Sequence, residues 1–249
     1  GGSLCHCNRL AHGSQTSCYA FIHPSLRHYG CSMTAATTTP VSVEEFATKA
    51  RAFLDNNSER RENEKAFVWG EGSDSVSMFE ERSRDAELEI LRKAKEWQAK
   101  RFDAGFAWIT GPTQYGGAGL TPAHERAYNA VEREYRTPNI AMFQIGLGMV
   151  APTILAHATE SAREKYLRPM WRADIVGCQL FSEPGAGSDL ASLQMKAERD
   201  GDEWLITGQK VWTSGAQFSD IGEVICRTDP SLPKHKGLTG FIVDMHAPG

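Results

Sequence analysis

Apolar and polar positions change rhythm near Trp171: helical spacing before it, short β-compatible runs after it. Val43–Leu54 predicts a short helix, capped by Ser42 and closed near Asp55-Asn56-Asn57. Ser83–Ala104 predicts the longest helix. There Leu88, Leu91, Lys95, Gln98 and Phe102 keep a three-four spacing, and Gly105 suits the C-terminal cap. Lys95 and Gln98 interrupt the apolar stripe, while Ile90 and Trp97 widen it. Thr121-Pro122 reads as a helix start, a hydroxyl cap followed by proline at the first helical position. Tyr128, Val131 and Tyr135 then share a face until Thr137-Pro138. Asn139 is expected to cap one helix running through Ile154, with Gly146 and Gly148 permitting close packing. Thr159 opens a last helix, expected to end near Pro169.

The β-compatible runs are Val176–Ser182, Ser192–Arg199, Glu203–Trp212, Glu223–Arg227 and Thr239–Asp244. Asp200-Gly201-Asp202 between two of them is a hairpin signal. Helices first and strands second imply an α+β chain: a helical domain over 33–172, then an antiparallel β domain over 173–249. Only Asp244–Gly249 follow the strand core Phe241-Ile242-Val243, so the β domain is read as incomplete, with an edge left unpaired.

Composition narrows the classes. The chain is 41% hydrophobic, and its 27 basic against 31 acidic residues leave a formal charge of −4. No Lys/Arg-rich run supports a nucleic-acid surface. No stretch approaches the ~18 consecutive apolar residues of a membrane span. Cys5, Cys7, Cys18 and Cys31 crowd the first 32 residues, leaving only Cys178 and Cys226 beyond, which is no disulfide framework and fits a reducing compartment. Cys5-His6-Cys7 with His12 and Cys18 lacks paired Cys-x-x-Cys spacing, so no metal is expected. The first acidic residue is Glu44, and Met33 before a Thr/Ala-rich stretch looks like a start. Residues 1–32 are therefore read as a non-native or disordered leader, and the chain as bacterial and cytoplasmic. A mitochondrial matrix location is the alternative if the leader is a transit peptide.

Three segments carry candidate chemistry. Cys178-Gln-Leu-Phe-Ser-Glu-Pro-Gly-Ala-Gly-Ser-Asp189 runs from a strand into a turn whose glycines admit close ligand approach and whose amides and hydroxyl can meet phosphate oxygens. Gly208-Gln-Lys-Val-Trp-Thr-Ser-Gly215 ends a strand on an aromatic and two hydroxyls, and Tyr115-Gly-Gly-Ala-Gly-Leu120 precedes the Thr121 cap. Taken singly, each has a plain structural reading as a loop, a core tryptophan or a connection. Standard nucleotide and hydrolase motifs fail: Leu190 stands where a third Rossmann glycine belongs, and no Gly-Lys-Ser/Thr loop exists. Tyr128 replaces the second histidine after His124-Glu125, and Ser214 lacks its nucleophile elbow.

Together, Ser182-Glu-Pro-Gly-Ala-Gly-Ser-Asp189, Gly208-Gln-Lys-Val-Trp212 and Tyr115–Leu120 closely resemble the acyl-CoA dehydrogenase family, as do Ile145-Gly-Leu-Gly-Met149 and Pro169. The resemblance spans about Val43 to the end. It implies an N-terminal helical domain and a barrel-like β middle domain, with the family's C-terminal four-helix domain absent. It also implies FAD as cofactor. Gln179, Leu180, Phe181, Ser182, Gly185, Gly187 and Ser188 match one flavin-contacting stretch, and Trp212, Thr213 and Ser214 the second. Ser182 and Ser214 stand where relatives often carry threonine, and Ser188 would also approach the coenzyme A arm.

The implied reaction is α,β-dehydrogenation of an acyl-CoA to a trans-2-enoyl-CoA, with hydride passing to FAD. The implied partners are an acyl-CoA substrate, an electron-transferring flavoprotein, and like or unlike subunits of an oligomer. No catalytic base is assigned, because the family's glutamate lies in the four-helix domain; the fragment alone is expected to be inactive and to bind FAD weakly. Gly111-Pro-Thr-Gln-Tyr-Gly-Gly117 departs from the family's usual Trp-Pro-x-Glu-Tyr-Gly-Gly, a change expected to touch packing and not chemistry. An acyl-CoA oxidase, a flavin monooxygenase or a non-catalytic binding subunit are the competing readings.

Overall fold

The computed structural model describes residues 41–61 and 83–247, with two short strands, β1 (Cys5–His6) and β2 (Tyr19–Ala20). The start at Met33 and most of the proposed leader, including Cys7, His12 and Cys18, lie outside the described residues. The described residues fall into two compact units, divided between Ile140 and Ala141.

In the first unit, α1 (Val43–Asn57) begins at a full capping box: Glu45 N–H donates to Ser42 Oγ, and Ser42 N–H to the Glu45 carboxylate. Ser42→Ala is expected to cost about 1 kcal/mol, read as a lower urea midpoint at unchanged slope. β3 (Glu59–Arg60) pairs with β4 (Tyr135–Arg136), and α2 (Arg84–Asp103) and α3 (Pro122–Glu132) complete the unit. Phe46, Ala50 and Leu54 of α1 pack with Trp97, Phe106, Ile109, Tyr128 and Val131; Phe106 stacks on Tyr128 at 5.2 Å. Gln98, which interrupted the apolar stripe, is buried and accepts from Arg101 at 3.5 Å. Tyr135 does not extend α3 as its spacing predicted. The helix ends at Glu132, and Tyr135 reaches the core from β4, its hydroxyl donating to Asp55 at 2.7 Å.

His124 explains its own burial. Its Nδ1 faces the Thr121 hydroxyl at 2.8 Å, and its Nε2 faces the Val41 carbonyl at 2.9 Å. A carbonyl only accepts, so Nε2 carries the hydrogen and the ring ties the chain entering α1 to the start of α3. The departure at Gly111 also has a packing reason. A Cβ there would lie 2.1 Å from the Trp108 ring, so Trp108 fills the space that a residue-111 side chain would need.

In the second unit, the expected single helix from Asn139 to Ile154 is broken into a 3-10 turn (Ala141–Phe143), a π-turn (Gly146–Val150) and α4 (Ala151–His157). Pro152 has no N–H to continue the α ladder, and Ala151 N–H instead reaches back five residues to Gly146. Helix α5 (Glu160–Arg172) runs past Pro169 and closes on Ala173 at φ +65°.

The strands are β5 (Gly177–Leu180), β6 (Lys196–Asp200), β7 (Glu203–Thr207), β8 (Gln209–Lys210), β9 (Ile221–Arg227) and β10 (Leu238–Asp244). The β6–β7 hairpin turns at Gly201-Asp202 as expected. In place of the expected antiparallel, barrel-like arrangement the strands form a mixed sheet, with no closed barrel among the described residues. β5 runs parallel to the first half of β9 (Gly177 opposite Ile221, Leu180 opposite Val224), and β6 joins β9 in parallel at Lys196–Arg227. One strand lane is thus interrupted by residues 181–195, which leave the sheet and return to the same edge in the same direction. The lane runs parallel to β9 because the chain returns through β7 and residues 208–220 before β9 begins.

Val224 and Cys226 face an apolar core with Cys178, Leu180, Met195, Ala197 and Phe241. On the other face Gly146 of the π-turn lies against Gly177, where a Cβ would come within 2.9 Å of the Gly177 carbonyl. Glu223, 2% exposed, points to Thr153 of α4.

Candidate functional site

The excursion from the sheet lane holds the first candidate stretch. Glu183 N–H donates to the Ala186 carbonyl at 2.8 Å and Ala186 N–H returns to Glu183 at 3.1 Å, closing a turn over Pro184-Gly185. Ala186 is buried beneath it, while Gly185, Gly187 and Ser188 are exposed. Their three amides make no hydrogen bond among the described residues, nor do the hydroxyls of Ser182, Ser188, Thr213 and Ser214. Such a row of unspent donors suits an anionic or carbonyl-rich ligand.

The second stretch is fastened to the first. Val211 N–H donates to the Ser182 carbonyl at 2.9 Å. Lys210 Nζ donates to the Phe181 carbonyl at 3.0 Å and to Glu183 Oε1 at 2.9 Å, an ion pair whose side chains are 2% and 6% exposed. Glu183 also accepts from Gln194 N–H at 2.6 Å and Met195 N–H at 2.9 Å. Burial alone would push the Glu183 carboxyl up, but the Gln194 amide, the Lys210 ammonium and the Met195 amide overcome it and hold the group below its ordinary value. Glu183 is thereby a fixed anion that anchors the turn, with no freedom to act as a base.

Trp212 follows directly. It is 79% exposed and sits at φ +56°, a left-handed backbone that costs a non-glycine residue roughly 1–2 kcal/mol. An exposed indole held in strain is a pointer to function, since neither burial nor backbone preference rewards it. Thr213 and Ser214 continue from it into a 3-10 turn over Ala216–Phe218, steadied by Ser219 Oγ donating to the Gly215 carbonyl at 2.9 Å.

Lys210 and Val211 therefore fasten Phe181 and Ser182 to the strand end that continues into Trp212, Thr213 and Ser214. Leu180 is separate: its side chain is in the sheet core, so only its backbone is on offer. Gln179 lies on the opposite face of β5 and is half-buried. Glu183 and Lys210, which join the two stretches, are not marked as site residues by the sequence. Lys210 carries no single-sequence mark of burial, and Glu183 read merely as part of the turn. No group of three or more His, Cys, Asp or Glu side chains among the described residues is arranged to hold a metal. No described helix is long and apolar enough to cross a membrane.

Comparison with known proteins adds a decisive match. Residues 73–174 fit the acyl-CoA dehydrogenase N-terminal domain, and residues 178–249 fit the acyl-CoA dehydrogenase middle domain. The chain belongs to the acyl-CoA dehydrogenase family. It is 43% identical over 165 residues to acyl-CoA dehydrogenase FadE34 of Mycobacterium tuberculosis (66% of this chain, 22% of that protein). It is 33% identical over 207 residues to acyl-CoA dehydrogenase IpdE1 of the same organism (83% and 50%). Among solved structures, the Tcur3481-Tcur3483 steroid acyl-CoA dehydrogenase superposes with TM-score 0.56 at 29% identity, covering 83% of this chain and 48% of that one. This chain thus spans half or less of each of these relatives.

Proposed function

We propose that this chain forms the flavin-holding part of an acyl-CoA dehydrogenase, with domains over 33–172 and 173–249. The observation that carries the reading is the bond from Val211 N–H to the Ser182 carbonyl, reinforced by Lys210, which fastens the glycine turn beside the exposed Trp212. The donor set fits FAD: an exposed indole for a planar ring system, and unspent amides at Gly185, Gly187 and Ser188 for a pyrophosphate. Bound FAD would supply the hydride acceptor for the β-hydrogen, while the α-proton leaves to a carboxylate and trans-2-enoyl-CoA results.

This chain's own residues would bind and orient. Trp212, Phe181 and the hydroxyls of Ser182, Thr213 and Ser214 would line the ring, and Ser188 would meet the coenzyme A arm. None of the nearby carboxylates is offered as the base, since Glu183 is locked in its ion pair and Glu223 is buried under α4. We assign the base to residues outside the two matched domains. An electron-transferring flavoprotein as acceptor, assembly with like or unlike subunits, and a cytoplasmic location in a bacterium complete the reading. The mycobacterial origin of FadE34 and IpdE1 supports the last of these.

Trp212→Gly tests the site. Glycine accepts the left-handed backbone and little burial is lost, so the unfolding free energy should stay within about 1 kcal/mol of the parent. FAD affinity, followed by quenching of flavin fluorescence, should fall about ten-fold or more. Unchanged affinity would remove Trp212 from the site, and no flavin binding by the parent, alone or within the full-length protein, would end the reading.

A further inference from the structure

Two loops flank Ser188 and are gathered by one guanidinium. Arg227, the last residue of β9, donates from Nη2 to the Ala191 carbonyl at 2.7 Å and to the Leu193 carbonyl at 3.4 Å. Its Nε also reaches the Leu193 carbonyl, and its Nη1 reaches the Lys234 carbonyl, each at 3.4 Å. The first two carbonyls belong to the segment after Ser188, the third to the β9–β10 connection. Both loops are also stitched from outside: Lys234 Nζ meets Asp189 Oδ2 at 2.5 Å, and Ser192 Oγ meets the same oxygen at 2.6 Å.

Arg227 has no carboxylate partner among the described residues; carbonyl dipoles alone hold it. The acids nearby are already engaged, Asp189 as above and Asp229 in capping Ser231. Arg227, Lys234 and Lys236 against Asp189 and Asp229 leave these loops net positive, and Lys236 is exposed. A planar fork that binds neutral carbonyls keeps its charge, and so contributes both geometry and a field favouring anions.

We infer that Arg227 is a positioning residue, whose fork on the Ala191, Leu193 and Lys234 carbonyls fixes the two loops that present Ser188 to the phosphates of an acyl-CoA. Arg227 touches neither substrate nor flavin in this scheme. The inference rests on the proposed reading that Ser188 meets the coenzyme A arm, and it adds the residue that makes that meeting possible. Lysine keeps the charge but cannot reach three carbonyls on two loops at once.

The test is calorimetric titration of the full chain with coenzyme A and, separately, with FAD. Arg227→Gln should weaken coenzyme A about ten-fold and FAD by a clearly smaller factor, since FAD would also be held by the Gly185 and Gly187 amides and by Trp212. Arg227→Lys should fall between Gln and the parent, and it supplies the measurement if the Gln variant folds poorly. Ser188→Ala should weaken coenzyme A as well. The double variant Ser188→Ala with Arg227→Gln should be no weaker than the worse single one, because one residue acts through the other. Equal losses for coenzyme A and FAD would reduce Arg227 to general support and overturn the inference, as would unchanged coenzyme A affinity in both Arg227 variants. If Ser188→Ala alone leaves coenzyme A binding untouched, or the parent binds none, the reading of Ser188 fails and the inference falls with it.

Discussion

Lys210→Met is expected to cost about 3–5 kcal/mol of unfolding free energy, because it leaves the Glu183 carboxylate buried without its cation. The methionine fills much of the lysine's volume, so little of the loss is cavity. Glu183 would still hold the Gln194 and Met195 amides, but without the ammonium its carboxyl should rise toward neutrality. The sign in pH follows. In the parent, Glu183 is held below its ordinary 4.5, so its stabilisation is present above that value and is lost as pH falls through the depressed folded value. In the variant that acid-side loss should shrink or reverse. Urea unfolding of both proteins at several pH values measures it. Adding Glu183→Leu to Lys210→Met should recover part of the loss, since two apolar groups leave no stranded charge. A drop below 1 kcal/mol for Lys210→Met would mean that the two stretches are held together by the Val211–Ser182 bond and packing alone.

Much of this was legible in the sequence because local chemistry wrote it. Ser42 with Glu45, Thr121 with Pro122, and Asp200-Gly201-Asp202 specify their caps and turn within a few residues, and each appears where its residue types predict. The glycine turn and the Trp212 segment were visible as motifs, and the structure brings them together. Strand direction was not legible. Whether β5 meets β9 in parallel depends on how residues 181–220 travel between them, and no side-chain pattern within β5 or β9 records that path. Tyr135 was misplaced for a related reason, since a residue seven after Tyr128 keeps the helical period even when the chain has left the helix. The π-turn was missed because its cause, Pro152 without an N–H, acts on a ladder that only exists once the helix forms. The ion pair Lys210–Glu183 and the fork of Arg227 are tertiary facts: a lone lysine, glutamate or arginine carries no sign of its burial.

Glu223→Gln is expected to raise stability by about 3 kcal/mol at pH 8 and to leave it nearly unchanged at pH 4. Burial pushes the Glu223 carboxyl up to about 7 from its ordinary 4.5, and contact with the Thr153 hydroxyl does not offset it. No charge among the described residues compensates. The π-turn has no ionisable side chain, His157 of α4 and Asp244 of β10 are exposed, and Cys178 of β5 lies in the core of the other face. Thr153 already gives its one hydroxyl hydrogen to the Met149 carbonyl at 2.8 Å, so a protonated Glu223 can donate to Thr153 where a carboxylate cannot. Its second oxygen, Oε2, is buried without a partner, which tells further against a full charge there. Folding therefore takes up a proton. The stability that this proton confers is complete below about 4.5, declines as pH rises, and is gone above about 7. Glutamine keeps the neutral shape and a donor for Thr153 at every pH, so the difference between the two proteins should open across that window. Calorimetric unfolding from pH 4 to pH 8 reads it directly. A difference that stays flat over the range would mean that Glu223 is ionised in the fold and that an opposing charge reaches it from elsewhere.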